Sequence, residues 1–340
     1  MIHHEALSRN YGIIRWSRSG RITVIFFAAV FAGLFFLPYF ANGFVVDKLT
    51  TLFIYILLAV MWNLLAGYAG LVSVGQQAFF GIGAYFAIRL VDMGMSPFPA
   101  LIAGSISAGF IAVPISVYVL RLKNGEFAIS MWVIAEVLRI LIMFDPMVQG
   151  ETGTSLLALN NYDPELRRNI TYWFGLCSLI TLSTITFVLL RNRIGSAAQA
   201  IRDNEAAADS VGINVMHIKQ VIFVLAAFGC ALAGTVWLAG AITFQPRTNF
   251  GIQWTVFMLF MVLVGGIGTF EGPVFGALIF FLLQEIFGDF GVWYLAGLGV
   301  VAVFFTLYLP EGLWGTIRKK TGWNFLSTGV LYKRFPTELM

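Results

Sequence analysis

"AIRDNEAAADSVGIN", residues Ala200–Asn214, is a charged run in the interior of the chain. Arg202, Asp203, Glu205 and Asp209 sit in it, between long runs of Phe, Leu, Val and Ile. From Ser196 to Val211 the alanines at 197, 198, 200, 206, 207 and 208 favour helix strongly. Ser196 is placed to cap the start, and Gly212 to end the helix in a left-handed turn. The reading is a short polar helix over 196–212 that joins two oily segments. What it does depends on what those segments are.

Of the 340 residues, 59% are hydrophobic and 11% charged, against about 25% charged and about 45–50% apolar in an ordinary soluble domain. One soluble core cannot hide that much apolar surface in a chain of this size. The fold class expected is all-α and polytopic in a membrane, because runs of about 20 apolar residues span a bilayer as helices. Candidate spans lie at 22–40, 49–69, 74–91, 98–120, 127–144, 171–190, 219–242, 253–269, 273–288 and 291–309, about ten in all. The first could imitate a signal peptide, but its apolar run is too long for an h-region and reads as a retained span.

The positive-inside rule orients these spans. With the N-terminus in the cytosol, the inner side receives Arg9, Arg15, Arg18 and Arg21, then Arg121 and Lys123, then Arg191, Arg193 and Arg202, and finally Arg318, Lys319 and Lys320. The outer side receives Asp47 with Lys48, Asp92, and the 145–170 loop with Asp145, Glu151, Asp163 and Glu165. In that loop only Arg167 and Arg168 argue the other way. Both termini are therefore expected in the cytosol, as is the polar helix. The organisation expected is a cytoplasmic tail over 1–21, a transmembrane domain over 22–315 and a cytoplasmic tail over 316–340.

The net charge of +4 forms no basic patch and gives no sign of nucleic acid. Cys177 and Cys230 both lie in apolar runs, without the spacing of a metal site or a disulfide framework. His3, His4 and His217 lack companion ligands, so no metal, cofactor or catalytic constellation is expected. A phosphate-cradling Gly-x-x-x-x-Gly-Lys-Ser/Thr loop is absent from the sequence, so the chain is not expected to hydrolyse ATP.

Three further stretches carry weight. "GLVSVGQQAFFGIGAY" sets Gly75 and Gly81 around Gln76, Gln77 and Phe79. Glycines allow a broken helix where backbone lines a cavity, and the amides beside Phe79 suit a zwitterion with an apolar side chain; helix packing is the alternative. "VIAEVLRILI" puts Glu136 and Arg139 one turn apart on a single face inside a span. Such charges pair internally or line a path, and a structural pair is slightly favoured. "GYAGLVSVGQQAFFGIGAY" and "GGIGTFEGPVFGALIF" both cluster glycines at an expected inner turn, a hint of an internal repeat.

These residues also carry a resemblance. "NEAAADSVGIN" resembles the cytoplasmic coupling loop of ABC importer permeases: Glu205, Ala206 and Ala207 match, and Gly212 follows after four residues where the usual pattern has three. "NLLAGYAGLVSVGQQAFFGIGAY", "LKNGEFAISMWVIAEVLRILI", "VLVGGIGTFEGPVFGAL" and "LPEGLWG" are similar, in order, to the branched-chain amino acid permeases across about residues 50–315. The resemblance implies a bacterial inner-membrane permease subunit, embedded in lipid, that pairs with a second related permease. ABC ATPase subunits would bind below, with Arg202, Glu205, Ala206, Ala207 and Gly212 as the coupling residues. A periplasmic or extracellular binding protein would deliver the small-molecule substrate to a path that includes Gly75, Gln76, Gln77, Phe79, Gly81, Glu136 and Arg139.

Branched-chain amino acids are the substrates implied, with urea, short amides or small carboxylates as alternatives. In the outer loop, Thr154 stands where the family has a second glycine after Thr152-Gly153, which leaves that loop's role open. A rival from another class is an ion-coupled transporter, for which only Glu136 offers a titratable group within the spans.

Overall fold

The computed structural model describes residues 11–14, 27, 29–309, 311–321 and 331–334. Its helices in chain order are α1 (Ala29–Tyr39), α2 (Gly43–Asn63), α3 (Gln77–Asp92), α4 (Pro97–Val119), α5 (Asn124–Met143), α6 (Pro164–Arg191), α7 (Arg193–Asp203) and α8 (Glu205–Ser210). They continue as α9 (Val215–Ala241), α10 (Pro246–Asn249), α11 (Gln253–Gly265), α12 (Gly272–Phe287), α13 (Val292–Tyr308) and α14 (Gly312–Thr321). Several starts are written in the sequence as Asx caps. The Asn42 side chain accepts from Val45 N, Asp163 from Glu165 N and Leu166 N, and Asn214 from His217 N.

Among the described residues, seven helical stretches are long and apolar enough to cross a membrane: Gly43–Tyr68, Pro97–Val119, Pro164–Arg191, Val215–Ala241, Pro246–Gly265, Gly272–Phe290 and Trp293–Lys320. Seven of the ten candidate spans meet that measure, and the three others fall short of it for separate reasons. Of the first, 22–26 lie outside the described residues. α3 has 16 residues, because the chain between Gly70 and Gln76 is not helical. α5 carries Glu126, Glu136 and Arg139.

α2 and α9 form the middle of the bundle. α2 packs on α6, α9, α11 and α12, while α9 packs on α3 and α4. Large rings fill the centre, with Trp62, Tyr55, Phe79, Phe80 and Phe223 almost fully buried. α13 lies at the edge, with Trp293, Val300, Leu307 and Tyr308 all exposed. In a membrane protein such apolar flanks face lipid or another subunit.

The helix expected over 196–212 is two helices. It breaks at Asn204, which is extended (φ −159°, ψ 104°) and turns its side chain to accept from Ala207 N at 3.0 Å. A side chain that caps a new helix competes with continuation of the old one. Ser196 consequently lies inside α7, whose cap position is Asn192. Gly212 has the left-handed backbone expected of it (φ 86°).

The two glycine-rich turns meet. The Asn63 side chain donates to Thr269 O at 2.8 Å and accepts from Gly268 N at 2.8 Å, which ties the end of α2 to the turn between α11 and α12. Two short antiparallel ribbons stand outside the helical pattern. Thr154–Ser155 pairs with Thr243–Phe244, and Tyr11–Ile14 pairs with Leu331–Arg334. Of the two tails expected at 1–21 and 316–340, most residues lie outside the described ones.

Candidate functional site

A cavity of about 850 Å³ lies between α5, the turn around α10, α11 and α13. Its walls are Trp132, Phe250, Ile252, Val256 and Leu295, and its polar groups are Gln77, Glu136, Arg139, Glu151, Arg247 and Gln253. Arg139 is the hub of one side. Its Nε donates to Glu136 Oε1 at 3.0 Å, and its Nη1 donates to Glu151 Oε1 at 2.9 Å. Two carboxylates thus share one guanidinium, so this side carries a carboxylate in excess. Arg247 lines the same cavity and makes no hydrogen bond or ion pair among the described residues.

Of the path residues expected from sequence, Gln77, Glu136 and Arg139 line this cavity. The Gln77 side chain accepts from the Thr255 hydroxyl and donates to Val74 O at 3.3 Å. The other four are packed beside the cavity. Gly75 lies against the backbone of Met131, where a Cβ would collide with the carbonyl, and Gly81 lies against the Phe250 ring. Phe79 is stacked edge-on to Phe223 at 5.6 Å. Gln76 is fully buried with its amide on Ser73 Oγ at 3.3 Å, and its Oε1 has no partner. The sequence reading omitted Glu151, Arg247 and Trp132 from the path. Arg247 had one signal: it is an arginine between two spans on the side where basic residues are scarce.

On the opposite end, α7 and α8 carry the polar stretch. Ala206, Ala207 and Gly212 are exposed, as is Val211, while Ala208 is buried. Arg202 and Glu205 are engaged within the chain. Arg202 Nη1 donates to Gly67 O at 2.8 Å, and Lys219 Nζ donates to Glu205 Oε2 at 2.7 Å.

The turn that follows α5 is held by Asp145. Tyr85 Oη donates to Asp145 Oδ2 at 2.5 Å, Met147 N donates to Oδ1 at 3.0 Å, and Arg89 stands 3.9 Å away. The Tyr85 hydrogen bond, then the Met147 amide and the nearby guanidinium, hold this carboxyl below its usual value against its partial burial. The exception to the charge rule is compensated: Arg168 Nε donates to Asp47 at 3.2 Å, and Arg167 donates to Asn160 at 3.1 Å.

Residues 44–309 match the family described as the permease component of branched-chain amino acid transport systems. The chain belongs to that family. It is 27% identical over 307 residues to the high-affinity branched-chain amino acid transport system permease protein LivM of Escherichia coli, covering 81% of this chain and 71% of the relative. It is also 36% identical over 116 residues to the L-arabinose transport system permease protein AraH of Escherichia coli, covering 32% and 35% of the two chains. The ribose import permease protein RbsC of the same species is 31% identical over 110 residues, covering 31% and 34%. No solved structure gives a match. The permease is therefore an all-α, multi-pass membrane protein of a transport family that has amino acid and sugar permeases among its relatives.

Proposed function

We propose that this permease is one of two membrane subunits of a bacterial inner-membrane ABC importer, and that it admits a small zwitterionic amino acid with an apolar side chain. The observation that carries the substrate reading is the charge arrangement of the cavity. Glu136 and Glu151 share Arg139, which leaves negative charge for a substrate ammonium, and Arg247 is free to take a carboxylate. Charge-assisted hydrogen bonds of this kind are stronger than neutral ones. Trp132, Phe250, Ile252 and Val256 supply apolar wall for leucine, isoleucine or valine.

Import would proceed by alternating access, powered by separate ATPase subunits that dock on the exposed Ala206–Gly212 surface. A binding protein would deliver substrate to the opposite face. The ribbon between Tyr11–Ile14 and Leu331–Arg334 supports both tails lying on one side, which the charge pattern marks as cytosolic. Residues 22–315 would form the transmembrane domain, with about ten crossings and α7–α8 as the coupling element. The partial likeness to arabinose and ribose permeases favours a second reading, a neutral sugar, but an uncompensated guanidinium suits a carboxylate better than a hydroxyl.

The test is uptake into proteoliposomes that hold the permease with the ATPase and second permease encoded beside it. ATP-dependent leucine uptake, competed by valine and not by arabinose, ribose or urea, is the expected result. Arabinose uptake that leucine does not compete would overturn the substrate. Uptake driven by an ion gradient without ATP would overturn the importer itself.

A further inference from the structure

The segment Gly70–Gln76 is an unwound strap between two anchors. At its lower end α2 closes in a π-helical turn, Leu64–Tyr68, and there the Gly67 carbonyl accepts from Arg202 Nη1 at 2.8 Å. Gly70 has a left-handed backbone (φ 71°) and lies flat on Arg202, where a Cβ would stand 3.2 Å from Cγ and 3.3 Å from Cα. Arg202 also holds Asp203 Oδ1 through Nε at 3.0 Å and Nη2 at 2.8 Å, so its planar head is fixed on two edges. Part-way along, the Trp62 indole donates to Ser73 O at 2.9 Å. At its upper end the strap passes Gly75, whose neighbour is the Met131 backbone of α5, and then becomes Gln77 at the cavity. Met131 is on the same helix as Glu136 and Arg139.

We infer that Arg202 is the positioning residue through which movement of α7 reaches the cavity, by drawing on the Gly67–Gly70 turn and the strap above it. This rests on the proposed docking role of α7–α8. A rigid helix that shifts sideways carries its C-terminal arginine with it, and the arginine draws on the π-helical end of α2, beyond which the strap from Gly70 has no helix of its own to resist. The strap then displaces Gln77 directly and α5 through the Gly75–Met131 contact, so both walls of the cavity respond to one pull. Packed elements pass such shifts on because they interconvert between discrete arrangements.

The test uses the assembled transporter with wild-type Arg202, Arg202→Ala and Arg202→Lys. ATPase retention, ATP hydrolysis and uptake are measured together. Arg202→Ala is expected to keep the ATPase bound and hydrolysing while uptake per ATP falls by about tenfold, the size of a lost charged hydrogen bond. Arg202→Lys, which can still donate to Gly67 O, should recover part of it. Unchanged uptake per ATP overturns the inference, and so does loss of ATPase retention, which would put Arg202 in the docking surface instead.

A second measurement needs no ATPase and separates failure of the docking reading from failure of the link. Val72 is an exposed strap residue, 46% accessible, and Cys177 is the exposed native cysteine. In a Cys177→Ser, Val72→Cys background, Arg202→Ala should speed maleimide labelling of the strap severalfold. An unchanged labelling rate would show that Arg202 does not hold the strap.

Discussion

Glu205 and Lys219 form an ion pair at 2.7 Å in which the lysine side chain is 7% exposed and the glutamate 42%. The matching glutamate of the coupling stretch therefore pins α8 to the start of α9. Removing its charge strands a nearly buried ammonium, a penalty of about 1–3 kcal/mol once the exposure of Glu205 is discounted. Glu205→Gln is expected to lower the melting temperature modestly. Glu205→Lys, which sets two ammoniums together, should lower it further and speed hydrogen exchange over 205–219. Melting of both variants at the wild-type temperature would show that the charge contributes nothing. Any loss of ATPase binding in Glu205→Lys must be compared with Glu205→Gln before it is assigned to docking.

Gly75→Ala is expected to destabilise the permease by about 1–3 kcal/mol, as for overpacking in a close-packed interior. Its new methyl would meet the Met131 carbonyl, whereas at Gly297 in α13 nothing lies within 4 Å. Gly297→Ala should be neutral or stabilising by about 0.5–1 kcal/mol. Thermal unfolding of both variants in detergent checks the contrast, and equal midpoints would contradict the packing.

Arg247→Gln should raise the KM for leucine uptake by about tenfold or more, the loss of a charged hydrogen bond, with ATP hydrolysis in the absence of substrate unchanged. Arg139→Gln should do more, because Glu136 and Glu151 would then face each other without their shared cation. An unaltered KM in Arg247→Gln would remove the carboxylate site from the cavity.

The turn around Asp145 should respond to acid with a defined sign. Asp145 is held below its usual 3.8, chiefly by the Tyr85 hydroxyl. A depressed carboxyl contributes stability that is complete above its unfolded value and is lost as pH falls through the lower, folded value. A spin label in the 145–150 turn should therefore stay immobile at neutral pH and through mild acid, loosening only below pH 3.8. Tyr85→Phe should move that transition upward. Loosening already near neutrality would contradict the assignment.

The bundle was legible because apolar runs of spanning length survive any rearrangement of their neighbours. The Glu136–Arg139 pair was legible too, since one helical turn sets its geometry. Glu151 and Arg247 were not, because their approach depends on two outer turns far apart in sequence being brought together by tertiary packing. The break at Asn204 was visible as an Asx residue, but alanine propensity on both sides outweighed it in the reading. Gln76 and Phe79 fit the expected motif and yet face the packed interior. Periodicity places a residue on a helix, and only the neighbours decide which face is wet.

Asn63 satisfies a donor and an acceptor of the 268–269 turn with one amide. The near-isosteric aspartate cannot donate, and leucine can do neither. The two glycine breaks consequently share a pivot. Two hinged segments on one pin cannot swing independently, which reduces what could be a floppy pair of turns to a single degree of freedom.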